Sequence, residues 1–282
     1  GRPQAATWQR LPVPSALPVV ERRIYSLDEC SAAVEAMSGH FIICASGRVA
    51  RSAISKLDPT RPFAIISHDV AHTGELLAQG FRVIHGDPSQ EHVLRQAGVE
   101  RALALMVTTE DNANAVLTIL NCRTLSKRIM ITATAQTEEL IPKLHRAGAD
   151  RVVSPFQVAA LFVLLATTRP VVSDFLQYVV YNPAAGIETT ELYMQDDSPW
   201  IGKSLAELSL RERFQAGVIG IRQPNGEYAL APADDHVLNE HEILIVVTPM
   251  KHGDVLRIEA HGSATRRPVS LRRNYLESEQ TR

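Results

Sequence analysis

His40–Arg51, HFIICASGRVAR, sets a short apolar stretch ahead of the small residues Ala45, Ser46 and Gly47, followed by Arg48, Val49 and Ala50. An apolar strand that runs into small residues and then a helix is the local form of a phosphate-receiving turn. Against the G-x-G-x-x-G fingerprint, the three glycine positions fall on Ala45, Gly47 and Ala50. In that fingerprint the first glycine makes the tight turn, the second lets the backbone approach a phosphate, and the third allows close helix-to-strand packing. Gly47 is retained, and Ala50 is a small replacement that the pattern tolerates. Ala45 departs from it, because a methyl group crowds the turn if positive φ is required there. Two readings follow: a helix N-terminus that receives phosphate, or a turn kept only for packing.

Working outward, apolar runs of strand length recur at HFIICA (40–45), FAIIS (63–67), RVIH (82–85), ALALMV (102–107), RIMIT (128–132) and RVVS (151–154). Amphipathic windows such as DNANAVLTILNCRTL (111–125) and TEELIPKLHRAGA (137–149) separate them, with Gly or Pro at the turns. Short strands buried on both faces and alternating with helices predict a doubly wound parallel sheet, Rossmann-like, in an α/β fold. A short helical pattern over Leu27–Met37 precedes them, and residues 1–20, with four prolines, read as an extended arm. Beyond the sheet, Gln157–Thr167 and Asp174–Tyr181 are helical windows on either side of Arg169-Pro170. After Pro183 the pattern turns β-rich: IETTELYM, AGVIGIR, a turn at Pro224-Asn225-Gly226, EYALAP and EILIVV, with one helical stretch, SLAELSLRERF. A second, smaller α+β domain is expected there.

The chain has 282 residues, 45% hydrophobic and 21% charged, with a formal net charge of −2. That size suits about two domains, and the charge offers no basic excess of the kind that marks nucleic-acid binders. Cys30, Cys44 and Cys122 are far apart and in no metal-ligand spacing, which points to a reducing compartment without disulfides. The longest apolar run, Val158–Ala166, falls short of the roughly 20 residues that span a bilayer. The chain starts at Gly1, without an initiator Met or signal-peptide pattern, as a processed or truncated piece of a longer protein would.

Taken together, GHFIICASGRVAR, VIHGDPSQEHVLRQAGVERALALMV, TTEDNANAVLTILNCRTL, LHRAGADRVVSPF and the long segment from SPWIGKSL to EILIVV resemble the RCK family, also called KTN or TrkA-N domains, followed by a TrkA-C (RCK-C) module. The resemblance runs from about residue 39 to 260 and implies an RCK-N domain over 39–155, a helical crossover and dimerisation segment over 156–182 and an RCK-C domain over 183–262, between an arm (1–38) and a tail (263–282). It further implies a non-enzymatic, ligand-sensing gating domain at the cytoplasmic face of the cell membrane, a homo-oligomer (a dimer or ring of dimers) that controls a potassium channel pore or transporter membrane subunit. A nicotinamide-dependent oxidoreductase on the same fold is the alternative; the second domain offers it His236 and His241 in a polar stretch, with no recognisable catalytic constellation around them.

The candidate binding residues lie at the carboxyl ends of the strands: Ala45, Ser46, Gly47, Arg48 and Val49 after the first, Ser67, His68 and Asp69 after the second, Gly86 and Asp87 after the third, and Thr108, Thr109 and Asn114 after the fourth. The acidic residue that grips a dinucleotide's ribose is expected about 20 positions past the turn; Ser67 stands there, with Asp69 two residues beyond. This weakens NAD relative to AMP, ADP or ATP as the ligand. Asp87 and Asp111 also read as helix caps. No metal is expected: His68, Asp69 and His72 read as a solvated helix start, and the ITATAQT segment lacks the carboxylates of the family's calcium-gated members. The arginine-containing tail, Thr265–Arg282, reads as solvated rather than as a contact for anionic lipid or a partner.

Overall fold

The computed structural model describes residues 26–45, 47–55, 62–181 and 186–261. The arm over 1–20, the tail over 265–282 and Ser46 lie outside the described residues.

Six strands, β1 (Phe41–Cys44), β2 (Phe63–Ser67), β3 (Val83–His85), β4 (Ala104–Val107), β5 (Met130–Thr134) and β6 (Arg151–Val153), form one parallel sheet in the order β3-β2-β1-β4-β5-β6. This is the doubly wound arrangement, which places a ligand crevice where the strand order reverses, between β1 and β4. Alternation along β1 builds both layers. Ile43 and Ala45 pack with Ile65 and Val83 under α2 (Gly47–Ile54) and α3 (Val70–Ala78), whereas Ile42 and Cys44 face the other way. That second layer joins Ile66, Leu105 and Ile131 to residues of α4 (Glu91–Gln96), α5 (Asn112–Leu125) and α6 (Ile141–Ala147). Helix α1 (Leu27–Glu35), which the sequence assigns to the arm, buries Val34 in the same layer and opens on a capping box of Ser26 and Glu29.

One ion pair ties this layer together. Arg123 of α5 donates from Nε to the Gly148 carbonyl (2.8 Å) and from Nη1 to the Ile129 carbonyl (2.6 Å), and its Nη2 pairs with Asp150. Asp150 also accepts the Ile131 N–H at 2.7 Å. Gly148, at φ +113, ends α6 in the left-handed region, and a Cβ there would stand 2.6 Å from the Arg123 Cγ.

The apolar window after β6 forms α7 (Pro155–Thr168), capped by Ser154 and started by Pro155, and α8 (Pro170–Tyr181) begins at Pro170 rather than at Asp174. A proline fits the first helical position because its missing N–H has no partner to lose there. α7 buries none of its residues.

The second sheet is antiparallel, ordered β7-β10-β8-β9, with β7 Ile187–Tyr193, β8 Gly217–Arg222, β9 Tyr228–Leu230 and β10 Ile243–Pro249. The β8–β9 connection is the expected Pro224-Asn225-Gly226 turn, with Gly226 at φ +86. The SLAELSLRERF stretch is two short helices, α9 (Leu205–Leu208) and α10 (Leu210–Phe214), because Ser209 takes φ +46 and breaks the run so that Leu205, Leu208, Leu210 and Phe214 all enter the core. The final helix, α11 (Met250–His261), is not legible as a periodic pattern. Its packing face is Gly253, Leu256 and Ala260, and a Cβ on Gly253 would overlap the Glu188 carboxylate, so the helix meets β7 through a residue that reads as a helix breaker. Among the described residues no helix is long and apolar enough to cross a membrane.

Replacing Arg123 with Met should lower unfolding stability by about 3–5 kcal/mol, since it strands the Asp150 carboxylate inside the protein. A urea midpoint that falls with an unchanged slope meets this expectation; a loss below about 1 kcal/mol would show that the pair is dispensable.

Candidate functional site

The crevice at the β1/β4 switch point is built from the turn after β1 and the loops after β2, β3 and β4. The left-handed backbone of the first turn sits at Gly47, φ +76, and not at Ala45. Ala45 is 3% exposed and its N–H continues the sheet ladder to the Ile66 carbonyl (2.8 Å). The departure at Ala45 therefore carries no strain: its methyl is part of the core, and the glycine that survives is at the position where backbone geometry demands one. Ala50, fully buried, fills the packing position against β1. Arg48 is exposed at the first turn of α2, Val49 is half-buried beside it, and no acidic residue of α2 itself lies in that turn.

At the end of β2, Ser67 is fully buried, and its hydroxyl donates to the Asp69 carbonyl at 3.4 Å. Asp69 caps α3: its Oδ1 accepts from the N–H groups of Ala71 (2.8 Å) and His72 (3.1 Å), which hold the carboxyl below its usual range, the His72 bond most of all. Ser67 has no carboxylate, and Asp69 commits its Oδ1 to the α3 cap, which leaves one oxygen for a ribose rather than two. His68 and His72 do not converge, for His68 is exposed ahead of the helix and His72 is buried within it. The described residues close enough to share an ion are instead Asp196, Glu240 and His241, all exposed, in the second domain.

The loops after β3 and β4 are joined. Asp87 Oδ1 accepts from Asn114 Nδ2 (2.8 Å) and from the Ser89 N–H (2.9 Å). Burial pushes the Asp87 carboxyl up, but these bonds and the His68 imidazole outweigh it and leave the group below its ordinary value. Asn114 in turn accepts from Thr118, and Asn121 of the same helix donates to the Ser89 carbonyl at 2.6 Å. Gly86 lets α4 approach, since a Cβ there would stand 2.7 Å from the Val93 Cγ2. Thr108, buried, donates to the Cys44 carbonyl at 2.7 Å and so pins the β4 loop to the end of β1. The Thr109 hydroxyl accepts from the Asp111 N–H, and Asp111 caps α5 through Ala113 and Asn114. Beneath the crevice, burial pushes the Cys122 thiol up to about 12 and the Cys44 thiol upward as well, so both are inert as nucleophiles.

The structure places the described candidate residues in and after the loops that follow β1, β2, β3 and β4 and divides them by task. Gly47, Arg48 and Val49 open α2 toward the crevice; Asp87 and Asn114 form a cross-loop hydrogen bond; Asp69 and Thr109 bond to backbone N–H groups close by in their own segments, and Thr108 bonds across to the β1 backbone. Sequence reasoning passed over Glu110. Its carboxylate lies against Gly47, where a Cβ would overlap it, yet an exposed acid in a loop carries no periodic or motif signal.

Comparison with known proteins agrees with this architecture. A TrkA-N domain model matches residues 41–155 and a TrkA-C domain model residues 190–259. The chain is 31% identical over 219 residues to "Probable potassium channel protein 2" of Methanocaldococcus jannaschii, covering 75% of this chain and 64% of the relative. It is 25% identical over 228 residues to "Potassium channel protein 1" of the same organism, covering 79% and 67%. The chain therefore spans about two thirds of the length of these relatives. Among solved structures, the human SLO3 gating ring superposes with a TM-score of 0.55 at 14% identity, covering 77% of this chain and 45% of that one, a likeness of fold. With one domain model on each of its two sheets, in that order, the chain belongs to the TrkA-N/TrkA-C family, the RCK domain pair.

Proposed function

We propose that this chain is a ligand-sensing regulatory module that controls potassium flux through a channel pore or a transporter's membrane subunit, acting at the cytoplasmic face of the membrane. The pairing of TrkA-N with TrkA-C and the likeness to potassium channel proteins support the regulated process. The observation that carries the sensing role is the turn at Gly47: a left-handed glycine at the carboxyl end of β1, opening an eight-residue helix toward the switch-point crevice. The ligand that suits this crevice is an adenine nucleotide, AMP, ADP or ATP, ahead of NAD. Gly47, Arg48 and Val49 would hold its phosphate, while Ser67 and Asp69, whose Oδ1 caps α3, give a weaker form of the ribose grip that the fingerprint uses for NAD. Asp87 and Asn114, with Gly86 keeping the loop close, form the crevice's polar wall. A ligand shifts a gate only through its different affinity for two states, so the site has to be coupled to an assembly that moves.

The crossover supplies the surface for that assembly. Phe156, Leu161 and Val163 of α7 are 66%, 63% and 67% exposed, and Val171 and Phe175 of α8 continue the apolar face. Apolar exposure of this extent over two adjoining helices is larger than a soluble monomer leaves open. A second copy of the chain fits it, giving a dimer or a ring of dimers.

Two results are expected. Calorimetry should show binding of ADP or ATP by the parent and none by Gly47→Val. That substitution also costs about 1–3 kcal/mol of stability, because valine is strained at φ +76 and overlaps Glu110; binding by the valine variant as tight as the parent's would assign the turn to packing alone. Light scattering should give at least a dimer for the parent at micromolar concentration and a folded monomer for Leu161→Glu/Phe175→Glu. A monomeric parent, unaltered by nucleotide, would remove the crossover as the assembly surface.

A further inference from the structure

Phosphate turns need a glycine because the ligand comes in where a side chain would stand. At Gly47 that space is already filled. A Cβ built there would overlap the Glu110 carboxylate, standing 2.6 Å from its Cδ and 2.9 Å from its Cγ. The carboxylate reaches across from the β4 loop to the amino end of α2, an eight-residue helix whose own first turn contains no acid. Negative charge is favoured at that end of a helix by the aligned peptide dipoles and the unpaired N–H groups. Asp69 and Asp111 cap α3 and α5 through hydrogen bonds from the residue before each helix, whereas Glu110 brings a carboxylate to the amino end of α2 from a different element, at the position that a phosphate would take.

The residues on either side of Glu110 are fixed. Thr108 is bonded to the Cys44 carbonyl, and Asp111 caps α5. Glu110 itself is exposed, and among the described residues it forms no ion pair that would hold it in place. Its side chain can therefore leave the turn by rotation alone, without moving the loop.

We propose that Glu110 is an intramolecular occupant of the phosphate position, a carboxylate that a phosphorylated ligand has to displace in order to bind at Gly47. This rests on the nucleotide reading given above. The consequence is selectivity by phosphate charge: a di- or triphosphate replaces one carboxylate with a larger anion, whereas a ligand without phosphate gains nothing from an emptied turn. Apparent affinity is reduced by the fraction of molecules in which the site is already filled.

The test is calorimetry on the full chain as parent, Glu110→Gln and Glu110→Ala, each titrated with ATP, ADP and adenosine, alongside thermal melts without ligand. Both variants should bind ATP and ADP roughly three- to tenfold more tightly than the parent, leave adenosine unchanged, and melt slightly lower when unliganded, because α2 has lost its anion. Tighter phosphate binding together with lower unliganded stability is a combination that a merely structural side chain would not give. If the parent binds ADP and the variants bind it equally or more weakly, the proposal fails and the nucleotide reading stands. If adenosine tightens as much as ADP, the effect is steric and the proposal fails. If neither the parent nor Glu110→Ala takes up any nucleotide, the nucleotide reading itself is overturned, and the proposal with it.

Discussion

Strand β1 is hydrogen-bonded on both sides, in register with β2 from Phe41↔Phe63 to Cys44↔Ile66 and with β4 from Phe41↔Ala104 to Cys44↔Val107. A strand held this way cannot bend, so the chain has to turn sharply at its carboxyl end to enter a helix on one face. Among the described residues of this turn, Gly47 is the one in the left-handed region. Because β2 and β4 continue to opposite sides of β1, the connecting segments diverge there and leave an open crevice between them. The position of the site, the exposed amino end of α2 and the approach of Glu110 all follow from that geometry.

The same logic explains why so many polar residues around the crevice are committed to backbone groups. Each β-to-α connection leaves a helix N-terminus with unpaired N–H groups. Asp69 and Asp111 satisfy those of α3 and α5, and Thr108 closes the β4 loop onto β1. What is left for a ligand is the α2 end and the Asp87–Asn114 wall. A site assembled this way is rigid in its frame and adjustable at exposed side chains such as Glu110.

Much of this was legible beforehand. FAIIS was read as a strand over 63–67 and is one over those residues, because its apolar run is bounded by Pro62 and by the polar residues His68 and Asp69. The other five parallel strands fall within the stretches read for them or shifted by about a turn's length, as at β5, where the apolar signal of Ile129 lies ahead of the ladder itself. The errors have physical causes. Ala45 looks like the weak point of the turn because the fingerprint puts a glycine there, but the positive φ is found two residues further on, at Gly47. The helix over 204–214 looked continuous because Leu205, Leu208, Leu210 and Phe214 are apolar throughout; only a left-handed Ser209 brings all four inward. Helix α11 was not seen because its closest contact is a glycine. Glu110 could not be recognised because its role depends on a residue more than 60 positions away.

We propose that nucleotide occupies the β1/β4 crevice and not some other part of the chain. Hydrogen exchange of the full chain with and without ADP tests this most directly, since it reports binding amide by amide in the intact protein. Protection is predicted at the amides opening α2 around 47–50, in the 86–89 loop and around 108–114, with the second sheet unchanged. Protection confined to residues 187–261, or no change anywhere at saturating ADP, would contradict the account.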